Sequence, residues 1–177
     1  MTESTTPASL VALMSTALAI ELEAADRYGE LADVMETHNN PEVAALFRRM
    51  QSIEGMHADA IRALLVENFV SQMTVFWRRR VHERIGYLDA SMRYSFDYEF
   101  WLRLAGLGDP LYVPERQAAF RWYRTSKSGS SFGRQFQEDL AAFRRHAPPD
   151  PLLRLRKRLK TAQILGAYWL LRLAGGG

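Results

Sequence analysis

IELEAADRYGELADVMETHNNPEVAALFRRMQSIEGMHADA, residues Ile20–Ala60, is the stretch that decides the fold. Apolar residues recur through it every three or four positions, which is the spacing of one face of an α-helix. The spacing predicts a first helix from about Pro7 to Glu36 and a second from about Pro41 to Leu65. Each helix has a proline at its start, directly after a residue that can cap it. An antiparallel hairpin of two helices is therefore expected.

Three side chains in this hairpin interrupt its apolar faces. Glu21 falls on the stripe of the first helix that includes Ala17 and Tyr28, whereas the other acidic residues of that helix lie off the stripe. Glu54 and His57 are three residues apart, so they are neighbours on the apolar face of the second helix. A buried carboxylate is costly unless it is paired, protonated or bound to a metal. The three residues are therefore candidate metal ligands, although a half-exposed glutamate beside a core histidine would give the same pattern.

Residues 10–65 resemble the first helical hairpin of the rubrerythrin branch of the ferritin-like superfamily. The resemblance rests on Glu21 seven residues before Tyr28, on the turn HNNPEVAALF, and on Glu54-x-x-His57. It implies that Glu21, Glu54 and His57 are ligands of a di-iron or di-manganese centre. The family has two such hairpins in one chain, whereas this chain has no second Glu-x-x-His. The resemblance therefore implies a homodimer, in which two N-terminal hairpins pair into a four-helix bundle.

Composition and charge describe an ordinary globular chain with two unlike halves. Of its 177 residues, 47% are hydrophobic and 24% are charged. Residues 1–67 contain four arginines and eleven acidic residues, a net charge of −7, whereas the remainder contains 19 basic and 9 acidic residues, a net charge of +10. The absence of cysteine excludes disulfides, thiolate metal sites and cysteine nucleophiles. The N-terminus lacks a basic signal region, and no apolar run approaches the length of about 18 residues that a membrane span needs, so a cytoplasmic protein is expected.

The second half is predicted to mix helices with short strands. Strands are expected at Val75–Trp77, Tyr112–Pro114 and Ala118–Tyr123. Helices are expected at 81–86, from an N-cap at Asp97 to about Gly106, at 132–146 and at 152–173. The fold class expected for the whole chain is therefore α+β and mostly helical.

Residues 68–146 resemble the C-terminal part of inverting family-two glycosyltransferases, which have the GT-A fold. The motif DYEFWLR, Asp97–Arg103, carries most of the resemblance. It implies that Asp97 is the general base that takes the proton of an acceptor hydroxyl, and that Arg121 and Lys127 bind the diphosphate of a nucleotide-sugar donor. The family usually has histidine where Tyr123 stands. The donor-binding half of such enzymes and its Asp-x-Asp motif are absent from the sequence. The resemblance therefore covers only the acceptor side.

These two resemblances divide the chain into three parts. Residues 1–66 are predicted to form the ferritin-like hairpin, 67–147 the glycosyltransferase-like segment and 148–177 a C-terminal helix. The C-terminal helix is basic at its start and apolar at its end, a pattern that fits either contact with the inner face of a membrane or packing on the protein. No motif for specific binding of nucleic acid is present.

The sequence leaves three functions open, and it does not decide whether the chain is an enzyme. The first is dinuclear metal binding by a hairpin dimer, with oxidase, peroxidase or iron-handling activity. The second is a glycosyltransferase remnant that acts with a nucleotide-sugar donor through Asp97. The third is a chimera that has joined the two pieces without catalysis by either.

Overall fold

The computed structural model describes residues 13–108, 110–119 and 131–174. These ranges contain six α-helices and a single 3₁₀ turn at Gln72–Thr74, and they contain no β-strand. The helices are α1 Leu13–Thr37, α2 Pro41–Val66, α3 Arg80–Ile85, α4 Phe96–Ala105, α5 Phe132–His146 and α6 Pro151–Ala174. The expectation of a mostly helical protein is confirmed.

Helices α1 and α2 form the expected hairpin and lie against one another along their length. The turn between them places Asn39 at a φ of 55°, a left-handed conformation that asparagine tolerates better than most residues. Asn40 then caps α2, because its side-chain oxygen accepts a hydrogen bond from the Val43 amide at 3.4 Å, and Pro41 follows as the first helical residue. Near the turn, the rings of Tyr28 and Phe47 stack with their centroids 6.2 Å apart. The local sequence thus determines where the chain reverses.

The later helices cover one end of this hairpin and share its core. Helix α4 is buried on nearly every face, which accounts for the run of large apolar residues in its sequence. It packs against the start of α1 and the end of α2, while α5 packs on α4 and α6 packs on α2. One continuous cluster results, and it includes Met14, Leu18, Ile61, Leu65, Tyr98, Phe100, Trp101, Leu102, Phe143 and Leu153. Residues on both sides of the predicted boundary after residue 66 therefore contribute to one core. The division of the chain into separate parts stays a prediction.

The predicted strands at Val75–Trp77 and Tyr112–Pro114 are wrong, because both segments are irregular. Val75 and Trp77 do point to one side, but they pack on the helical core, whereas Phe76 between them is 82% exposed. The described residues provide no neighbouring strand that could complete the hydrogen-bond ladder of a sheet. Of the third predicted strand, Ala118–Tyr123, residues 118 and 119 are irregular and the remainder lies outside the described residues.

None of the described helices is both long enough and apolar enough to cross a membrane. Contact of the C-terminal helix with a membrane surface stays a prediction. Helix α6 does expose several leucines along its length, together with Trp169.

Candidate metal centre

The three candidate ligands of the hairpin converge, as the sequence predicted. Glu21 extends from α1, and Glu54 and His57 extend from α2 two to three turns before its end. The Nδ1 atom of His57 lies 3.6 Å from an Oε atom of Glu21 and 3.4 Å from an Oε atom of Glu54. One ligand atom from each residue can be chosen so that all three lie within 4.8 Å of one another. Within the described part of the chain, this is the one such group of three or more metal-binding side chains.

The spacing of these atoms fits a shared metal ion. Metal bonds to histidine nitrogen and carboxylate oxygen are about 2.0–2.2 Å long, so two ligands of one ion lie roughly 3.0–3.5 Å apart. The separations of 3.4 and 3.6 Å from His57 to the two glutamates are close to that range. The donor set of two carboxylates and one imidazole suits iron. The three residues therefore fit a metal without a large rearrangement.

The side chains of this group are half-buried. Glu21, Glu54 and His57 expose 24%, 23% and 30% of their side chains. On the inner side they border the shared core, since Leu18 and Ile61, one turn away on the two helices, are buried. A carboxylate in this position has lost much of its water, so a bound cation would compensate part of the desolvation cost.

The two helices that carry the group also expose apolar side chains. Ile20 and Leu31 on α1 are 59% and 41% exposed, and Leu46 and Ile53 on α2 are 47% and 44% exposed. On α2, Leu46, Met50, Ile53 and His57 follow one another at helical spacing, so they form one stripe. We call the surface formed by Ile20, Leu31, Leu46 and Ile53 the open face of the hairpin. Exposed apolar residues that flank polar metal ligands are typical of a surface that a partner covers.

Of the residues predicted for glycosyl transfer, Asp97 lies within the described part of the chain. Asp97 is the second residue of α4 and not its N-cap, which is Ser95. One carboxylate oxygen of Asp97 accepts a hydrogen bond from the Tyr98 amide at 2.8 Å. The amides before α4 instead donate to Glu138 of α5, which accepts from residues 93, 94 and 95 at 2.7–3.1 Å. Arg121 and Lys127 lie outside the described residues.

The motif DYEFWLR serves a structural purpose in the described part of the chain. It includes a buried ion pair that the sequence analysis missed, in which Glu99 and Arg103 are joined at 2.7 Å. His146 also approaches Glu99, with its Nε2 atom 2.9 Å from a carboxylate oxygen. Burial by itself raises the pKa of Glu99, but the hydrogen bonds and charges of His146 and Arg103 outweigh burial and lower the pKa. The sequence did contain a signal for this ion pair, because Glu99 and Arg103 are four residues apart in a segment that is otherwise mostly apolar.

A second polar group that the sequence analysis missed lies between α5 and α6. Lys157 is 3% exposed, although it belongs to a run of basic residues that suggests a solvated helix face. Leu153 and Thr161, four residues before and after it, are also buried, so this spacing of four marks the inner stripe of α6. The buried Asp139 of α5 lies near the lysine, and its charge opposes the effect of burial on the lysine.

Comparison with protein-family models matches residues 12–93 to the rubrerythrin family. The match covers somewhat less than half of the chain, and it includes Glu21, Glu54 and His57. No curated protein and no solved structure matches the chain significantly. The expected similarity of the N-terminal hairpin to rubrerythrin is thus confirmed. The comparisons give no support for a glycosyltransferase portion, so the general base Asp97 and the nucleotide-sugar donor stay predictions.

Proposed function

We propose that the chain binds iron through Glu21, Glu54 and His57, and that these residues are one half of a dinuclear carboxylate centre. The observation that carries the proposal is the convergence of the three ligand atoms within 4.8 Å. The similarity of residues 12–93 to rubrerythrin supports it, because that family suggests a di-iron carboxylate site. The family points to iron, whereas manganese has no support of its own.

A second copy of this chain is the proposed source of the other half. Dinuclear centres in ferritin-like bundles use a glutamate from each of two helices and a Glu-x-x-His pair from each of the other two. One hairpin of this chain provides half of that set. In a dimer related by two-fold symmetry, the same surface of each subunit meets its copy, so the two sets of ligands come together. Pairing through the open face would also bury Ile20, Leu31, Leu46 and Ile53, which supplies a hydrophobic driving force.

The residues of the site have separate tasks in this proposal. The carboxylates of Glu21 and Glu54 provide negative charge, and either can bridge two cations. His57 binds a metal only through an unprotonated ring nitrogen, so metal binding competes with protons and weakens in acid. When bound, the metal pair supplies redox chemistry that a protein made of these side chains lacks. The two neighbouring helices hold the ligands in place because their inner faces belong to the shared core.

The test is metal content measured together with oligomeric state. The purified full-length chain is loaded aerobically with ferrous iron, freed of excess metal and separated by size with light scattering, and iron is then measured by mass spectrometry. About two irons per dimer are expected. Glu54→Ala and His57→Ala should each lose most of the iron while they keep the helical circular dichroism spectrum.

Glu23→Ala is the matched control. Glu23 is also a glutamate of α1, but it is exposed and is paired with Arg27 at 3.0 Å. The Glu23→Ala variant should bind iron as the wild type does. A chain that binds no iron, or that binds it equally after Glu54→Ala and Glu23→Ala, would contradict the proposed site. A chain that stays monomeric by light scattering and binds one iron, lost in Glu54→Ala, would support the three ligands but refute the shared dinuclear centre.

A further inference from the structure

A cavity of about 370 Å³ lies between the end of α2, α5 and α6, away from the candidate metal ligands. Its apolar walls include Phe132 and Tyr168, whose rings stack with centroids 4.0 Å apart. About half of the lining residues are polar, and they include Asn68, Asp139 and Lys157. This volume is near the lower end of the range for cavities that bind small molecules, and its polar groups can fix the orientation of a ligand.

The polar groups of the cavity are only partly satisfied. The Nζ atom of Lys157 donates to the hydroxyl of Tyr98 at 3.2 Å, and that hydroxyl donates to the Leu65 carbonyl at 2.7 Å. Among the described residues, no group donates a hydrogen bond to Oδ1 of Asp139 or to Oδ1 of Asn68, and both atoms are buried. Asp139 itself is only 6% exposed. A buried acceptor normally accepts a hydrogen bond, so these two oxygens could be satisfied by a molecule in the cavity that carries hydrogen-bond donors.

Burial shifts the pKa values of Lys157 and Asp139 in the directions that favour their neutral forms. It lowers the pKa of Lys157 to about 8, although the negative charges of Asp139 and Glu67 oppose the change. It raises the pKa of Asp139, although the Ser95 hydroxyl and the charge of Lys157 oppose that change. A lysine that burial has deprived of water, as Lys157 is, can act as a nucleophilic amine, and an acid near it can donate a proton.

We propose that Lys157 forms an imine with a small hydroxylated aldehyde or ketone that binds in this cavity, with Asp139 as the proton donor. The neutral amine of Lys157 attacks the carbonyl carbon, and a proton moves from nitrogen to oxygen to give a carbinolamine. Asp139 takes up the proton that the Lys157 ammonium releases and donates it to the carbinolamine hydroxyl, which leaves as water while the nitrogen lone pair forms the C=N bond. The products are a protonated imine, one water molecule and the Asp139 carboxylate, so no oxidant or reductant is needed.

The reason to propose a hydroxylated substrate is the unsatisfied Oδ1 atom of Asn68 on the cavity wall. An apolar aldehyde would leave Oδ1 of Asn68 without a donor, whereas a hydroxyl beside the carbonyl can donate to it. The free energy of leaving a buried acceptor unpaired favours the hydroxylated compound. The size of the cavity limits the substrate to a small molecule.

Reductive trapping tests the proposal. The full-length protein is incubated at pH 7 with glycolaldehyde and cyanoborohydride, which reduces an imine to a stable secondary amine, and the modified lysines are located by peptide mass spectrometry. Lys160 is an internal control, because it lies on the same helix but is one-third exposed and is paired with Glu67 at 3.0 Å. At pH 7 a lysine with a pKa of about 8 is roughly 10% neutral, whereas an ordinary lysine is well below 1% neutral. We expect Lys157 to be modified at least about tenfold faster than Lys160.

Two further comparisons separate the parts of the proposal. Asp139→Asn should slow trapping at Lys157 at least about tenfold without changing Lys160, because the proton donor is lost. Propanal, which has no hydroxyl, should react more slowly than glycolaldehyde at Lys157 and similarly at Lys160. Equal modification of Lys157 and Lys160 in the wild type would overturn the proposal, and this comparison requires no variant to fold. Unchanged trapping in Asp139→Asn would overturn the role of Asp139, and equal rates with the two aldehydes would overturn the substrate class.

Discussion

Replacing Arg103 by methionine is expected to remove a large part of the stability of the fold. The guanidinium of Arg103 is 2% exposed and bonds to both carboxylate oxygens of Glu99, with the shortest contact at 2.7 Å. It also donates to the carbonyl oxygens of Ile85 and Tyr87, and therefore joins α4 to the end of α3. Methionine has a similar length and is apolar, so it preserves packing while it removes the charge and every one of these hydrogen bonds.

The magnitude follows from what remains after the substitution. Glu99 is fully buried, and its closest remaining partner is His146 at 2.9 Å. The carbonyl oxygens of Ile85 and Tyr87 also lose a donor. Removing one partner of a buried ion pair costs about 3–5 kcal/mol, because the other charge is left uncompensated. A typical domain has a free energy of unfolding of about 5–15 kcal/mol, so Arg103→Met should unfold at a much lower denaturant concentration or fail to fold.

The assay is urea unfolding followed by circular dichroism at pH 7, with Arg27→Met as the matched control. Arg27 pairs with Glu23 at 3.0 Å and with the same spacing of four residues, but the two side chains are 73% and 65% exposed. The exposed pair should contribute no more than about 0.5 kcal/mol. The double variant Glu99→Met/Arg103→Met should be more stable than Arg103→Met alone, because it leaves no buried carboxylate. Equal losses for Arg103→Met and Arg27→Met would refute the reasoning, as would a double variant that is less stable than Arg103→Met.

Four further substitutions test the packing and electrostatics of the fold. Tyr98→Phe should lower the free energy of unfolding by about 1–3 kcal/mol, because the Leu65 carbonyl and the Lys157 amine each lose a hydrogen-bond partner. Gly106→Ala should destabilise by about 1–3 kcal/mol, since its Cβ would lie 2.6 Å from a side-chain atom of Leu13. Gly55→Ala, whose Cβ would meet no atom within 4 Å, should instead stabilise α2 by about 1 kcal/mol. The pKa of Lys157 is about 8 in the folded chain and 10.5 ordinarily, so the unfolded chain binds more protons between these values. Between pH 7.5 and 10 the wild type should therefore gain about 2 kcal/mol relative to Lys157→Met.

Each of these is measured by urea unfolding, and the Lys157 comparison is repeated at both pH values. Gly106→Ala and Gly55→Ala are a matched pair, because they add the same methyl group, and effects of the same sign would contradict the packing described here. Tyr98→Phe without loss of stability would show that the hydroxyl is not needed by its two partners. A constant difference between wild type and Lys157→Met across the pH range would show that burial does not change the pKa of the lysine.

The hairpin and its candidate ligands could be predicted from the sequence because the signals that define them are local. The spacing of apolar residues fixes which face of each helix is buried, and Asn40–Pro41 marks the start of α2. Glu21, Glu54 and His57 are conspicuous because they interrupt a regular pattern. Their convergence then follows from helix geometry once two adjacent helices are joined by a short turn.

The second half could not be predicted in the same way because its structure depends on contacts between distant segments. Val75 and Trp77 alternate with Phe76 as they would in a strand, but here the partner of that face is a helical core. Alternation shows that one side is buried without showing what covers it. The burial of Lys157 has the same origin, since α6 packs this lysine against Tyr98 of α4 and Phe143 of α5, which are distant in sequence.

The later helices give the candidate metal ligands a fixed geometry while leaving them accessible. Two helices alone expose the apolar faces that a bundle would bury, and an isolated pair is marginal in water. Here α4 covers the hairpin where Leu18 and Ile61 lie, one turn from the ligands, and it does so with the large aromatic residues of the DYEFWLR motif. The spacing between Glu21 and His57 is therefore set by a core that does not need the metal. In the proposed dimer, a second copy would contact the open face, while Leu18 and Ile61 of the first copy would stay buried in the core that they share with α4.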